Sequence, residues 1–131
     1  MTTHCRIGYE FPDGTVRSIY CHFDGYPEGV GYTLTAYYNS ESKILELLGL
    51  GDISVLAERV APFEDEDHSF LFPRPDVTIA YDRDRGESDV DAMGHKTIEH
   101  FFEEAETYMY LFTHADKAWH AYEGRTREKI W

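Results

Sequence analysis

A chain of 131 residues, 42 % hydrophobic and 15 % aromatic, is long enough for one domain with a core of its own, and it is not composed like a disordered segment. Its net charge of −13 is uneven: residues 1–60 carry 8 acidic and 4 basic side chains, residues 61–106 carry 14 and 4, and residues 107–131 carry 3 and 4. A field of that sign excludes nucleic acid and anionic membrane as direct partners and favours basic protein surfaces.

No apolar stretch approaches the length of a membrane span, and the start Met1-Thr2-Thr3-His4 lacks a signal-peptide core, so a cytoplasmic protein is expected. Cys5 and Cys21 have neither disulfide-scaffold nor zinc spacing, and both are expected reduced. No motif calls for a cofactor.

The chain opens as a β-hairpin. Cys5, Ile7, Tyr9 and Phe11 alternate with His4, Arg6, Gly8 and Glu10, the period of a half-buried strand. Pro12-Asp13-Gly14 supplies a three-residue turn. Counting outward from it sets Ile7 opposite Ile19 and Cys5 opposite Cys21, so one face is apolar on both strands. The other face brings His4 opposite His22, with Asp24 two residues on. Gly25-Tyr26-Pro27 ends the second strand.

Helical spacing follows over residues 28–38 (Val30, Leu34, Tyr37, Tyr38) and over 41–48 (Ile44, Leu45, Leu47, Leu48), the latter stopped by Gly49 and Gly51. Asp52 reads as the N-cap of a short helix through Val60. Residues 62–75 read as a loop holding Glu64-Asp65-Glu66-Asp67 and the pair Phe70 and Phe72. A lone strand is expected over 77–81 and a polar loop over 82–94. Residues 96–106 read as an amphipathic helix with Ile98, Phe101, Phe102 and Ala105 inward. Residues 108–112 and 118–122 form a closing hairpin. The sum is a single α+β domain over 1–131: a mostly antiparallel sheet of two hairpins and one middle strand, with helices on one face.

Five groups of residues carry chemistry. His4, His22 and Asp24 share a sheet face and are candidates for a metal ion, against a plain hydrogen-bonded turn. Cys21 beside His22 has the types of a nucleophile and base, but strand neighbours point to opposite faces, which returns Cys21 to the core. Asp82-Arg83-Asp84-Arg85-Gly86-Glu87 misses calcium-loop spacing; Arg83 and Arg85 are anion contacts or members of local ion pairs. The carboxylates Glu64, Asp65, Glu66, Asp67, Asp89, Asp91, Glu103 and Glu104 form an acidic surface, read as a coarse imitation of DNA phosphates or as plain solubility. Among the aromatics Tyr20, Tyr26, Tyr32, Tyr37, Tyr38, Phe70 and Phe72, Tyr20 stands out because it lies on the polar face beside Arg6.

Three strings, Ile19-Tyr20-Cys21-His22-Phe23-Asp24-Gly25-Tyr26-Pro27, Gly51-Asp52-Ile53-Ser54 and Tyr81-Asp82-Arg83-Asp84-Arg85-Gly86-Glu87, resemble those of short acidic proteins encoded by bacteriophages and prophages. The resemblance implies a phage-linked protein and brings no activity. With the charge, it leads to the expectation of a counter-defence or host-takeover protein that presents its acidic surface to a basic, nucleic-acid-binding host component such as a restriction or CRISPR factor. An alternative is a binder of a nucleotide signal, with Arg6, Tyr20, His22, Asp24, Tyr26, Arg83 and Arg85 around the turn at 20–27. A second alternative is a small metal-dependent hydrolase using His22 and Asp24. An enzyme is the less expected class, and a homodimer is open.

Overall fold

A computed structural model describes residues 2–131. Seven strands form one mixed sheet: β1 (Cys5–Glu10), β2 (Val16–Cys21), β3 (Ile53–Val55), β4 (Ile79–Ala80), β5 (Met93–His95), β6 (Tyr108–Thr113) and β7 (Ala118–Glu123). The order is β4-β3-β2-β1-β6-β7, with β5 lying beside β2 next to β3. Four helices accompany it: α1 (Tyr32–Tyr37), α2 (Glu41–Leu48), α3 (Tyr81–Arg85) and α4 (Ile98–Glu103). The α+β class and both expected hairpins are present.

The N-terminal hairpin has the register that its turn dictates, with Cys5 opposite Cys21 and Ile7 opposite Ile19. Gly14 takes φ +87°, the left-handed position the turn requires. The two hairpins meet through β1 and β6, which run parallel, with Ile7 beside Tyr110. The pairing of β2 with β3 is also parallel.

One face of β1 and β2 lies on the main core. Cys5, Ile7, Ile19 and Cys21 meet Leu34 of α1, Ile44 and Leu47 of α2, and Tyr110 of β6, all fully buried. Helix α2 starts where Ser40 accepts a hydrogen bond from the Lys43 N–H. The expectation of helices on one face holds for α1 and α2 but not for α4. Helix α4 packs on the opposite face, where Phe101 joins Val16, Met109 and Leu111. Gly8 makes this possible: a Cβ there would come within 2.7 Å of the Phe101 ring.

Four local expectations are corrected. The helix over 52–60 is instead β3 and a loop, because the Asp52 carboxylate accepts the Tyr20 N–H at 2.9 Å instead of capping its own chain. The middle strand shortens to β4, and Tyr81 begins α3, which ends at Gly86 in a left-handed C-cap of φ +72°. The polar stretch 82–94 holds both α3 and the start of β5. The helix over 28–38 opens as a π turn, Pro27–Gly31, before α1.

Outside β7, residues 128–131 return along the strand. Ile130 N–H donates to Ala121 O at 2.7 Å, Ala121 N–H to Trp131 O at 2.7 Å, and Glu123 N–H to Glu128 O at 2.9 Å. No helix among the described residues is long and apolar enough to cross a membrane.

Candidate functional site

Alternation along the strands sends Arg6, Ser18 and Tyr20 to the face opposite the main core. Arg6 and Tyr20 are register partners, as the hairpin count predicts. Tyr20 Oη lies 2.8 Å from His22 Nδ1, and the His4 and His22 rings stand 4.5 Å apart. His4 Nδ1–H donates to the His22 carbonyl at 2.8 Å. So Arg6, Tyr20 and His22 assemble at one end of this face.

The other predicted members of that site go elsewhere. After Phe23 the chain turns at Asp24, which has φ +58°, and crosses to the Cys5 side. There Gly25 sits so close that a Cβ would come within 2.8 Å of both Cys5 Cβ and the His4 carbonyl carbon. Tyr110 Oη, from the core face, donates to Gly25 O at 2.7 Å. Asp24 and Tyr26 are exposed on that side. Arg83 is occupied in structure, donating to Val60 O at 2.5 Å, Thr78 O at 2.6 Å and Asp84 at 2.9 Å. Arg85 pairs with Glu87 at 2.8 Å and lies over the Phe70 ring. Among the described residues neither Arg83 nor Arg85 bonds to Arg6, Tyr20, His22, Asp24 or Tyr26. His4, His22 and Asp24 do not converge either, and among the described residues no group of three or more His, Cys, Asp or Glu is placed to hold a metal ion.

What forms instead is a hydrogen-bonded chain that the sequence reading missed. Arg6 Nη1–H donates to Ser18 Oγ at 2.9 Å; Ser18 Oγ lies 2.6 Å from His95 Nε2; His95 Nδ1 lies 2.9 Å from His100 Nδ1. Burial, then the nearby His100 and Arg6, pushes His95 down to about 4, so the ring is neutral at physiological pH. A neutral ring has one N–H, so His95 donates on one side and accepts on the other. Ser18 and His95 have the separation of a nucleophile and its base. They are 0 % and 3 % exposed, with the His95 ring packed edge-on against Phe101 of α4.

Arg6 is 7 % exposed, its Nε has no partner, and its single side-chain hydrogen bond among the described residues is to Ser18. Two carboxyls lie in its field without bonding to it. Burial raises Asp52, against the opposing Tyr20 N–H and Arg6; burial also raises Glu106, against Arg6 and His4. Beside Glu106 a cleft of about 690 Å³ is lined by Ala105, Thr107, Tyr108, Glu123 and Arg125.

The acidic residues divide. Glu64, Asp65, Asp67, Asp89, Asp91 and Glu103 are exposed, while Glu66 and Glu104 are half-buried. Glu66 is tied into the fold by Arg59 at 2.8 Å, Arg74 at 3.4 Å and the Phe63 N–H at 2.9 Å. Those hydrogen bonds, Arg59 first, hold its carboxyl below the usual range. The exposed six belong to three segments: the 61–76 loop, the stretch after α3, and α4. In the 61–76 loop they stand beside apolar side chains equally open to solvent: Phe63 is 64 % exposed, Leu71 82 % and Phe72 81 %. The sequence signal was the run Phe70-Leu71-Phe72 between polar residues and Pro73, with no periodic partner.

No protein family matches the chain, and no curated protein and no solved structure matches it.

Proposed function

We propose that this is a binding protein that offers exposed carboxylates to a basic protein surface, and that its partner is a nucleic-acid-binding component of a bacterial defence system met by a phage-linked chain. The observation that carries this reading is the exposure of Glu64, Asp65, Asp67, Asp89, Asp91 and Glu103 to solvent, in a chain of net charge −13. Exposed like charges self-repel in the folded state, and an oppositely charged groove relieves that repulsion.

The test is displacement of duplex DNA from a panel of restriction endonucleases and CRISPR effector complexes by the purified chain. Displacement of at least one at about 0.1 M salt and its loss near 1 M is expected, since the Debye length shrinks from about 10 Å to about 3 Å. Triple neutralisation Glu64→Gln, Asp65→Asn and Asp67→Asn weakens it. Displacement of none, or displacement indifferent to salt, overturns the reading.

The Arg6 charge, which has no bonded carboxylate and sits beside the half-buried Tyr20 and His22, favours a second reading, a small anionic ligand at that end of the sheet. Titration with inorganic phosphate and with a mononucleotide, followed by amide shifts of residues 4–22, tests it. Shifts that vanish in Arg6→Met support a site there; shifts unchanged by Arg6→Met, or none at all, remove it.

A further inference from the structure

Two large apolar side chains side by side in solvent are costly to a monomer, and large exposed apolar patches mark interaction sites. Leu71 and Phe72 are such a pair, at 82 % and 81 % exposure. They sit in a tight turn, closed by Phe72 N–H donating to Ser69 Oγ at 3.1 Å and Ser69 N–H to Phe72 O at 3.4 Å.

The base of that turn is held firmly. His68 joins its two ends: Nδ1 accepts the Arg74 N–H at 3.1 Å, and Nε2 contacts Asp84 of α3 at 3.1 Å. Arg74 Nε–H donates back to Asp67 O at 2.9 Å. A tip supported in this way loses little conformational freedom on docking. Beside it lies a hollow of about 520 Å³ lined by Phe70, Leu71 and Phe72 together with Ser69, Asp84 and Arg85.

Charge selects the partner. Glu64, Asp65 and Asp67 are exposed on the same loop, and a second copy of a −13 chain would bring the same carboxylates against them. Resting on the binding reading above, we propose that Leu71 and Phe72 are the anchor of the interface, inserting into an apolar pocket rimmed by lysine or arginine on the partner protein. The anchor gives the surface what carboxylates alone lack, a desolvated centre inside a polar rim.

The experiment uses the full chain and three labelled peptides read by fluorescence anisotropy: one alternating lysine and leucine, one lysine and serine, one glutamate and leucine. The lysine–leucine peptide is expected to bind best, about tenfold tighter than lysine–serine, with glutamate–leucine not binding. Leu71→Ser with Phe72→Ser is expected to remove that tenfold advantage, with circular dichroism and Tm unchanged because both residues are exposed. If both lysine peptides bind equally and the double variant changes nothing, the anchor fails while the charge reading stands. If neither lysine peptide binds, or glutamate–leucine binds as well as lysine–leucine, the charge reading fails with it. Self-association, or binding to phosphatidylcholine vesicles, that the double variant abolishes in the absence of peptide binding also overturns the anchor.

Discussion

Ser18 Oγ and His95 Nε2 lie 2.6 Å apart, both buried, across a separation of 77 residues. Through this bond β5 is held to β2 by side chains as well as by backbone. Ser18→Ala takes the partner from His95 Nε2 and from Arg6 Nη1 together. A loss of about 1–3 kcal/mol in urea unfolding is expected, as for other buried groups left unpaired. A smaller loss than Thr15→Ala at the exposed hairpin turn would show that the chain from Arg6 to His100 holds nothing.

The same ring makes stability depend on acid. His95 is pushed from 6.5 down to about 4, so as pH falls through that window the unfolded chain takes up a proton that the folded chain refuses. Its contribution is therefore complete above about 6.5 and is lost toward 4. Asp52 and Glu106, raised by burial, act in the opposite sense, so comparison with His95→Gln isolates the histidine. Unfolding free energies at several pH values should fall more steeply for the native chain than for His95→Gln. Parallel curves would contradict the assignment.

Arg6→Met separates the fold from the ligand reading. Burying a charge without a bonded carboxylate is costly, and an apolar replacement of similar volume is often neutral or stabilising. The expectation is a stability within about 1 kcal/mol of native or above it, measured by urea unfolding. A loss of several kcal/mol would mean that Asp52 and Glu106 depend on the guanidinium.

The Cys5 thiol is 0 % exposed, and burial pushes it well above its ordinary value. Cys21, its register partner, is buried too. Both thiols are buried away from reagent, so both should resist Ellman's reagent at pH 8 and react together once urea unfolds the chain. Rapid reaction of the folded protein would show that this end of the hairpin opens locally.

Tyr110 Oη donates to Gly25 O at 2.7 Å and ties β6 to the turn after β2. Tyr110→Phe leaves that carbonyl without this donor, at an expected cost of about 1–2 kcal/mol. Gly25→Ala should cost more, since its Cβ would press on the backbone of His4 and Cys5. Equal Tm shifts for the two variants would mean that the turn gives way freely.

Contacts that are local in the chain were legible, and distant ones were not. The Pro12-Asp13-Gly14 turn and the alternation on both sides of it fix the Cys5–Cys21 register without any other part of the molecule. For that reason Arg6 and Tyr20 were correctly placed together. Ile53, Leu56 and Val60 fit helical spacing as well as they fit a strand and a loop. The partner that decides, the Tyr20 N–H bonded to Asp52, comes from 32 residues earlier. Met93-Gly94-His95 has no strand pattern of its own and becomes β5 only because β2 has a free edge there. Arg83 pairs with Asp84 and Arg85 with Glu87, the local ion pairs that their spacing allows, but nothing local announces that Arg83 will also donate to Val60 O and Thr78 O.

The return of residues 128–131 along β7 has a consequence for how this protein behaves when concentrated. An open outer strand is a template on which other chains add strands and grow into fibrils. Here Ala121 and Glu123 already spend their N–H groups on Trp131 and Glu128. At the other end of the sheet, β4 is two residues long. Neither border offers a run of free backbone long enough to seed cross-β growth, so an apolar, tyrosine-rich sheet stays safe from its own kind.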